Sequence, residues 1–296
     1  MKKILVYLLT LLILAGCSSA RVDDSDKSDY PDSDPVLRSE VLLNVYEEPY
    51  IDAEVAYLDY SQIENGYFGV CLKQESDKKI KLRVIKDEQT YTYDVKDLEM
   101  KAIPLQMGDG TYTIKVFEQV EGTTYALMYA QDISVKMEDE LSVYLYPNQT
   151  VDYEEGSLVI DKSFEVTEGD TNDLDRLYHL YVYVLDTLKY DNSKAKNVMD
   201  IYVLPDLDEA ITTGKGICFD YAALLAALCR IQKIPARVIV GYTDIEYHAW
   251  VEIYLENTGW INPKLYFNSE EWSLVDPTFD DSGGDYEGNY DEVYHY

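Results

Sequence analysis

The run Gly216-Ile217-Cys218-Phe219-Asp220-Tyr221-Ala222 leads without a breaker into a strongly helical stretch that ends at Arg230. More than any other segment, it constrains what this chain can build. A cysteine just after Gly216 and at the head of a helix sits where unpaired backbone N–H groups and the positive end of the helix dipole collect. That place favours a thiolate over a thiol whose free pKa is roughly 8.5, and the same N–H groups can cradle an oxyanion. A lone cysteine would mean little, because free Cys is mostly an inert, buried, small hydrophobe. Here partners are within the sequence's reach. In Tyr247 to Leu255, the residues Ala249, Val251, Ile253 and Leu255 form one apolar face of a strand, leaving His248 and Trp250 on the other. A further strand from Trp272 to Val275 is stopped by Pro277, so Asp276 lies at its end. If the two strands are antiparallel neighbours, Asp276 can hold one imidazole nitrogen of His248 while the other faces Cys218.

These motifs stand in an order that resembles the transglutaminase-like superfamily of cysteine enzymes, from about Asp170 to about Phe279. An amphipathic helix ends in Leu188-Lys189-Tyr190-Asp191, and then come the cysteine motif and Ile234-Pro235-Ala236-Arg237-Val238-Ile239-Val240-Gly241-Tyr242. His248-Ala249-Trp250-Val251-Glu252 and Asp276-Pro277-Thr278 follow. The resemblance implies a papain-like core in which Cys218 is the nucleophile, His248 the general base and acid, and Asp276 the orienting residue. One departure is the long spacer between Trp260 and Trp272, so Asp276 is matched by its Asp-Pro-Thr context rather than by its distance from His248. Tyr190, at the end of the first helix, is a candidate for completing the oxyanion hole, and Trp250 for lining the groove. Each can equally be a packed aromatic. Asp220 can cap the helix or neutralise a neighbour, and receives no chemical role.

The N-terminus, with Lys2 and Lys3, a short apolar run and Leu14-Ala15-Gly16-Cys17, reads as a bacterial secretion signal. The run is short for a membrane span. Its resemblance to lipoprotein signals implies cleavage before Cys17 and a diacylglycerol on that sulfur, an ordinary signal or short anchor being the alternative. Either way the protein is expected outside the cytoplasm, and the lipoprotein reading implies lipid anchoring at the cell surface. Residues 17–39 are acidic, rich in Ser and Pro, and nearly free of aliphatic side chains, which suits a disordered tether.

From Glu40 to Tyr146 short alternating runs recur between turn signals: Lys79–Ile85, Gln89–Val95, Thr111–Phe117 and Thr124–Tyr129. They predict an immunoglobulin-like β-sandwich over 40–149, followed by a transglutaminase-like α+β domain over 150–296. Many of the 29 tyrosines fall on these alternations and suggest strands. In the second unit Leu174, Leu177, Tyr178, Tyr181, Val184, Leu185 and Leu188 share a helix face, with Asp173 as N-cap. His179 lies on its polar face with Arg176, and His295 is read as a surface residue of an acidic, solvated tail that begins at Asp280. That tail lacks the ligand pattern of a Ca²⁺ loop, and neither a metal nor a cofactor is expected.

With Cys17 assigned to lipid and Cys218 to chemistry, Cys71 and Cys229 remain, read as buried thiols with an inter-domain bridge as the alternative. Cys218 and Cys229 cannot bond within one helix, being about 16 Å apart. The net charge of -31 disfavours nucleic acid as a partner and suits a soluble secreted surface. The expected partner is a protein or peptide substrate, with cell-wall peptide suggested by location alone. Thiolate attack on an amide gives a thioester, which water resolves as a peptidase and a lysine amine as a cross-linking enzyme. The other class of reading is a non-catalytic binding or scaffolding lipoprotein, which has no need of a thiol at a helix head paired with a distant histidine and aspartate.

Overall fold

Side chains that alternate in and out with period two organise the first half of the chain. A computed structural model describes residues 30–197, 203–243, 247–261 and 290–296. Its first strands are β1 (Ile51–Ala53), β2 (Ala56–Asp59), β3 (Tyr67–Leu72), β4 (Ile80–Lys86), β5 (Gln89–Val95), β6 (Lys101–Pro104), β7 (Gly110–Glu121) and β8 (Thr124–Val135). They form two antiparallel sheets, β1-β2-β3-β6 and β5-β4-β7-β8. Leu58, Phe68, Val70 and Ile103 of the first sheet meet Leu82, Val84, Tyr91, Ile114 and Val116 of the second in one core. Each large side chain buried there contributes about 1.5–3 kcal/mol. The β7–β8 hairpin outruns its predicted length at both ends: Ala130–Val135 pair with Lys115–Gly110, and the two strands go on pairing past Glu118, where the β4 partnership ends at Ile80.

The second half follows as α1 (Leu158–Val166), α2 (Asp173–Thr187), β9 (Lys189–Tyr190), α3 (Asn192–Asn197), α4 (Leu207–Thr213), β10 (Lys215–Gly216), α5 (Cys218–Ile231), β11 (Ala236–Thr243), β12 (Tyr247–Leu255), β13 (Gly259–Ile261) and β14 (Tyr290–His295). The architecture is therefore mixed α+β. β13-β12-β11-β14 make an antiparallel sheet, and β9 and β10 pair in parallel. α5 is the axis of this half: every residue from Phe219 to Ile231 is buried, with α1, α2 and α4 around it and β11 and β12 beneath it. A helix apolar all round has to be enclosed in this way. The alanines at 222, 223, 226 and 227 let its neighbours come close.

Several local expectations are corrected. Asn172, not Asp173, caps α2: it has extended backbone and its side chain accepts from Asp175 N at 2.9 Å. Arg176 is not on the polar face but buried, bonding Asp173, Ser33 Oγ and the Asp34 carbonyl. His179 is half-exposed, and a hydrogen bond to the Asp170 carboxylate lifts its pKa. The segment given to the tether is seated on the fold from Tyr30 onward. Ser33 N donates to Thr171 O at 2.8 Å, Arg38 stacks over Phe164, and Tyr30, Val41 and Leu43 pack on the α5 core. Polarity alone misled here, because Ser33 and Asp34 supply the acceptors that the buried Arg176 requires. The last residues are likewise not a solvated tail. β14 pairs with β11, and His295 is held between Glu292 and the Gln106 carbonyl, so it is no free surface histidine. Residues 280–289 lie outside the described residues. Cys71 and Cys229 are free and buried, and burial pushes both thiols up. No helix among the described residues is long and apolar enough to cross a membrane.

Candidate active site

The loop ahead of α5 is braced by a short parallel ladder. Lys189 N donates to Gly214 O at 2.9 Å and Asp191 N to Gly216 O at 2.8 Å, which sets Tyr190 beside Gly216 and so next to the cysteine loop. Cys218 is the first residue of α5 and the one position of that helix not fully buried. It packs on the core only in part, whereas the other 13 residues of this 14-residue helix are enclosed. Ile217 has extended backbone and precedes the helix as its cap. Asp220 reaches back to accept from Ile217 N at 2.8 Å, and the amides of Asp220 and Tyr221 close on Ile217 O.

The strand register places His248 near the start of β12. Arg230, near the end of α5, donates to Ala236 O at the start of β11, so helix and strand run antiparallel from a common corner. From there α5 runs back about 18 Å to Cys218, and β11 advances about 17 Å to Gly241. Gly241 is the register partner of His248 in β12. Alternation turns Ala249, Val251, Ile253 and Leu255 toward α5 and leaves His248 and Trp250 on the second face, both buried. Asp276 and Cys17 lie outside the described residues. The structure thus sets Tyr190 beside the loop that leads into Cys218, and leaves His248 and Trp250 buried on the sheet face that α5 does not cover.

Gly241 is a feature the sequence reading passed over. A Cβ at this position would fall 2.1 Å from Asp291 O and 3.0 Å from the Trp250 ring. Only glycine lets β14 close on β11 here, beside the bulge at Val240/Gly241. Gly241→Ala is expected to push β14 off the sheet, seen as faster amide exchange over 290–296 with β4 and β7 unchanged; equal protection in the variant would refute the close approach. Tyr242 and Tyr247, also unremarked in the sequence, are register partners and exposed, with ring centroids 5.0 Å apart, on the α5 side of the sheet end. Lys194 was likewise missed, although it reaches Asp220 at 2.8 Å. The available signal was Asp220 itself, since a carboxylate two places into an apolar helix needs a counter-charge.

Three comparisons bear on this arrangement. Residues 160–264 match the family described as the transglutaminase-like superfamily. Residues 1–18 match the prokaryotic membrane lipoprotein lipid attachment site, which makes this an extracytoplasmic, lipid-anchored protein. The Bacillus subtilis protein YebA, itself uncharacterized, is 30% identical over 94 residues, which are 25% of this chain and only 12% of YebA. Among solved structures, a candidate cysteine protease of Cytophaga hutchinsonii is similar over 66% of this chain and 77% of its own, at 16% identity and a TM-score of 0.37. The periplasmic domain of TgpA from Pseudomonas aeruginosa is similar over 70% of this chain and 91% of its own, at 14% identity and a TM-score of 0.33.

Proposed function

We propose, on the premise that residues 160–264 are a transglutaminase-like domain carried by a lipid-anchored extracytoplasmic protein, that Cys218, His248 and Asp276 perform acyl transfer from amides. The observation that supports this most is the placement of Cys218. It is the one residue of an otherwise buried helix that is not fully enclosed, and it stands in that helix's first turn. In the proposed reaction His248 takes the thiol proton, the sulfur bonds to the amide carbonyl, and backbone N–H groups at the helix head hold the oxyanion. The C–N bond then breaks as His248 returns the proton to the leaving amine, leaving a thioester on Cys218. Water or a second amine attacks the thioester and restores the thiol. Asp276 orients the imidazole and Tyr190 borders the groove, while Trp250, buried in the sheet, backs it from within.

The substrate in this reading is a protein or peptide, with the peptides of the cell wall favoured by the lipid anchor. Residues 40–149 are read as an immunoglobulin-like sandwich and 150–296 as the catalytic unit. The sandwich supports the second face of the catalytic sheet, where Trp260 meets Tyr144 edge-on at 5.1 Å. Anchoring is assigned to a lipid on Cys17.

The test is the pH dependence of Cys218 alkylation in the full-length chain held in detergent micelles, followed on the Cys218 peptide by mass spectrometry. Cys71 and Cys229 are buried and do not compete. A midpoint below about 7 that rises in His248→Ala is expected for a thiolate–imidazolium pair. A midpoint near 8.5, indifferent to His248, would overturn the reading in favour of a binding protein.

A further inference from the structure

α5 carries two charged side chains, Asp220 near its start and Arg230 near its end, and both are buried. Asp220 lies in the first turn, two residues after Cys218, and is 1% exposed. Its carboxylate accepts from Ile217 N and from Lys194 Nζ, each at 2.8 Å. Gly216 makes room for it, because a Cβ there would fall 2.7 Å from Asp220 Cβ and 3.3 Å from its Oδ2. The carboxylate therefore pins the loop that presents Cys218. The same negative charge opposes the positive end of the helix and disfavours a second anion beside it. Lys194 resolves the conflict. It is delivered by α3, whose start is capped by the Asp191 carboxylate accepting from Ser193 N at 2.8 Å and Lys194 N at 2.9 Å. Asp191 N is also the group that bonds Gly216 O. Residues 189–194 thus brace the cysteine loop and supply its counter-charge in one piece.

We propose that Lys194 is a positioning residue for acyl transfer, its ammonium cancelling the Asp220 charge so that a carboxylate can pin the Cys218 loop without acting on the sulfur. The inference rests on the reading of Cys218 as the nucleophile. The other charged groups at this place are Asp191, Glu209 and Lys215, which line one cleft with Lys194, then Lys189 on β9. The backbone amide of Lys194 holds the Asp191 carboxyl below its usual range.

The experiment compares the pH midpoint of Cys218 alkylation in full-length wild type, Lys194→Met, Lys194→Arg and Lys194→Met/Asp220→Asn, with thermal unfolding as the control for folding. Repeating the series in His248→Ala separates imidazole titration from the lysine effect. Lys194→Met is expected to raise the midpoint by about one unit, slowing alkylation about tenfold below it. Lys194→Arg should keep the wild-type midpoint. The double variant retains an oxygen acceptor for Ile217 N–H without a charge, and should return to within about 0.3 unit of wild type. An unmoved midpoint in Lys194→Met would overturn the proposal. An equal shift in the double variant would overturn it too, since the effect would then be lost packing and not charge. If wild type itself titrates near 8.5 regardless of His248, the catalytic reading fails, while the difference between Lys194→Met and wild type still decides the role of Lys194.

Discussion

Cys218→Ala is expected to lower amide turnover by about ten-thousand-fold or more, leaving only what binding and the oxyanion N–H groups supply. The reasoning is local. α5 is buried from Phe219 onward, Cys229 included, so no other side chain of the helix can present a nucleophile, and Cys71 is enclosed in the first half of the chain. His248→Ala should cost nearly as much, and the two losses should not add, because thiol and imidazole act as one unit. The measurement is amine release from a panel of peptide amides with and without an added primary amine. Hydroxylamine trapping of the thioester on wild type provides the positive control. A Cys218→Ala protein that retained turnover would remove the cysteine from the mechanism. A wild type that never forms the adduct would favour the scaffolding reading.

Arg230→Met is expected to cost about 2–6 kcal/mol of stability, an estimate from taking the guanidinium donors from Ala236 O and Tyr146 O at about 1–3 kcal/mol each, since Tyr296 O keeps Val238 N as a donor. Arg230 is fully buried and pairs with carbonyls rather than a carboxylate. Nε and Nη2 donate to Ala236 O at 2.9 and 2.8 Å, Nη1 to Tyr146 O at 2.7 Å, and Nη2 to Tyr296 O at 2.9 Å. Burial pulls its guanidinium down to about 10, so it stays charged at neutral pH. It ties the end of α5 to β11, to the segment between the two halves and to the last strand. Denaturant unfolding would therefore show the α5 half melting early in Arg230→Met, with Arg230→Lys intermediate because an ammonium cannot span all three acceptors. A loss below about 1 kcal/mol would mean that these carbonyls find other donors.

Much of this architecture was legible in the chain. Alternation in Ile80–Lys86 and Gln89–Val95 located β4 and β5 to within a residue, and the Ala249–Leu255 pattern gave β12 its faces. The head of α5 was readable because Gly216, Cys218 and an unbroken apolar run leave few alternatives. What escaped were contacts made across long stretches of sequence. Lys194 pairs with Asp220 26 positions away, Ser33 with Arg176 143 away, and Gln106 with His295 189 away. No local period encodes such pairs. Ser33 and His295 sit in polar surroundings that look solvated until the buried Arg176 and the aromatic cluster of Tyr91, Tyr93 and Tyr144 are known. Gly241 escaped for a related reason: its neighbour Asp291 belongs to a strand that composition had assigned to solvent.

The docking of the chain from Tyr30 onward sets a leash length. Thirteen peptide steps separate Cys17 from Tyr30, and a fully extended chain of that size spans at most about 45 Å. With lipid on Cys17, Tyr30 and the fold seated on it stay within that distance of the bilayer surface instead of ranging through the full depth of the envelope. Targets that are themselves held at that height meet it at a raised effective concentration, whereas those deeper in the wall must be carried within its radius. Loosening the Ser33–Arg176 latch would release more chain and widen that radius while leaving α5 and its Cys218 end as they are.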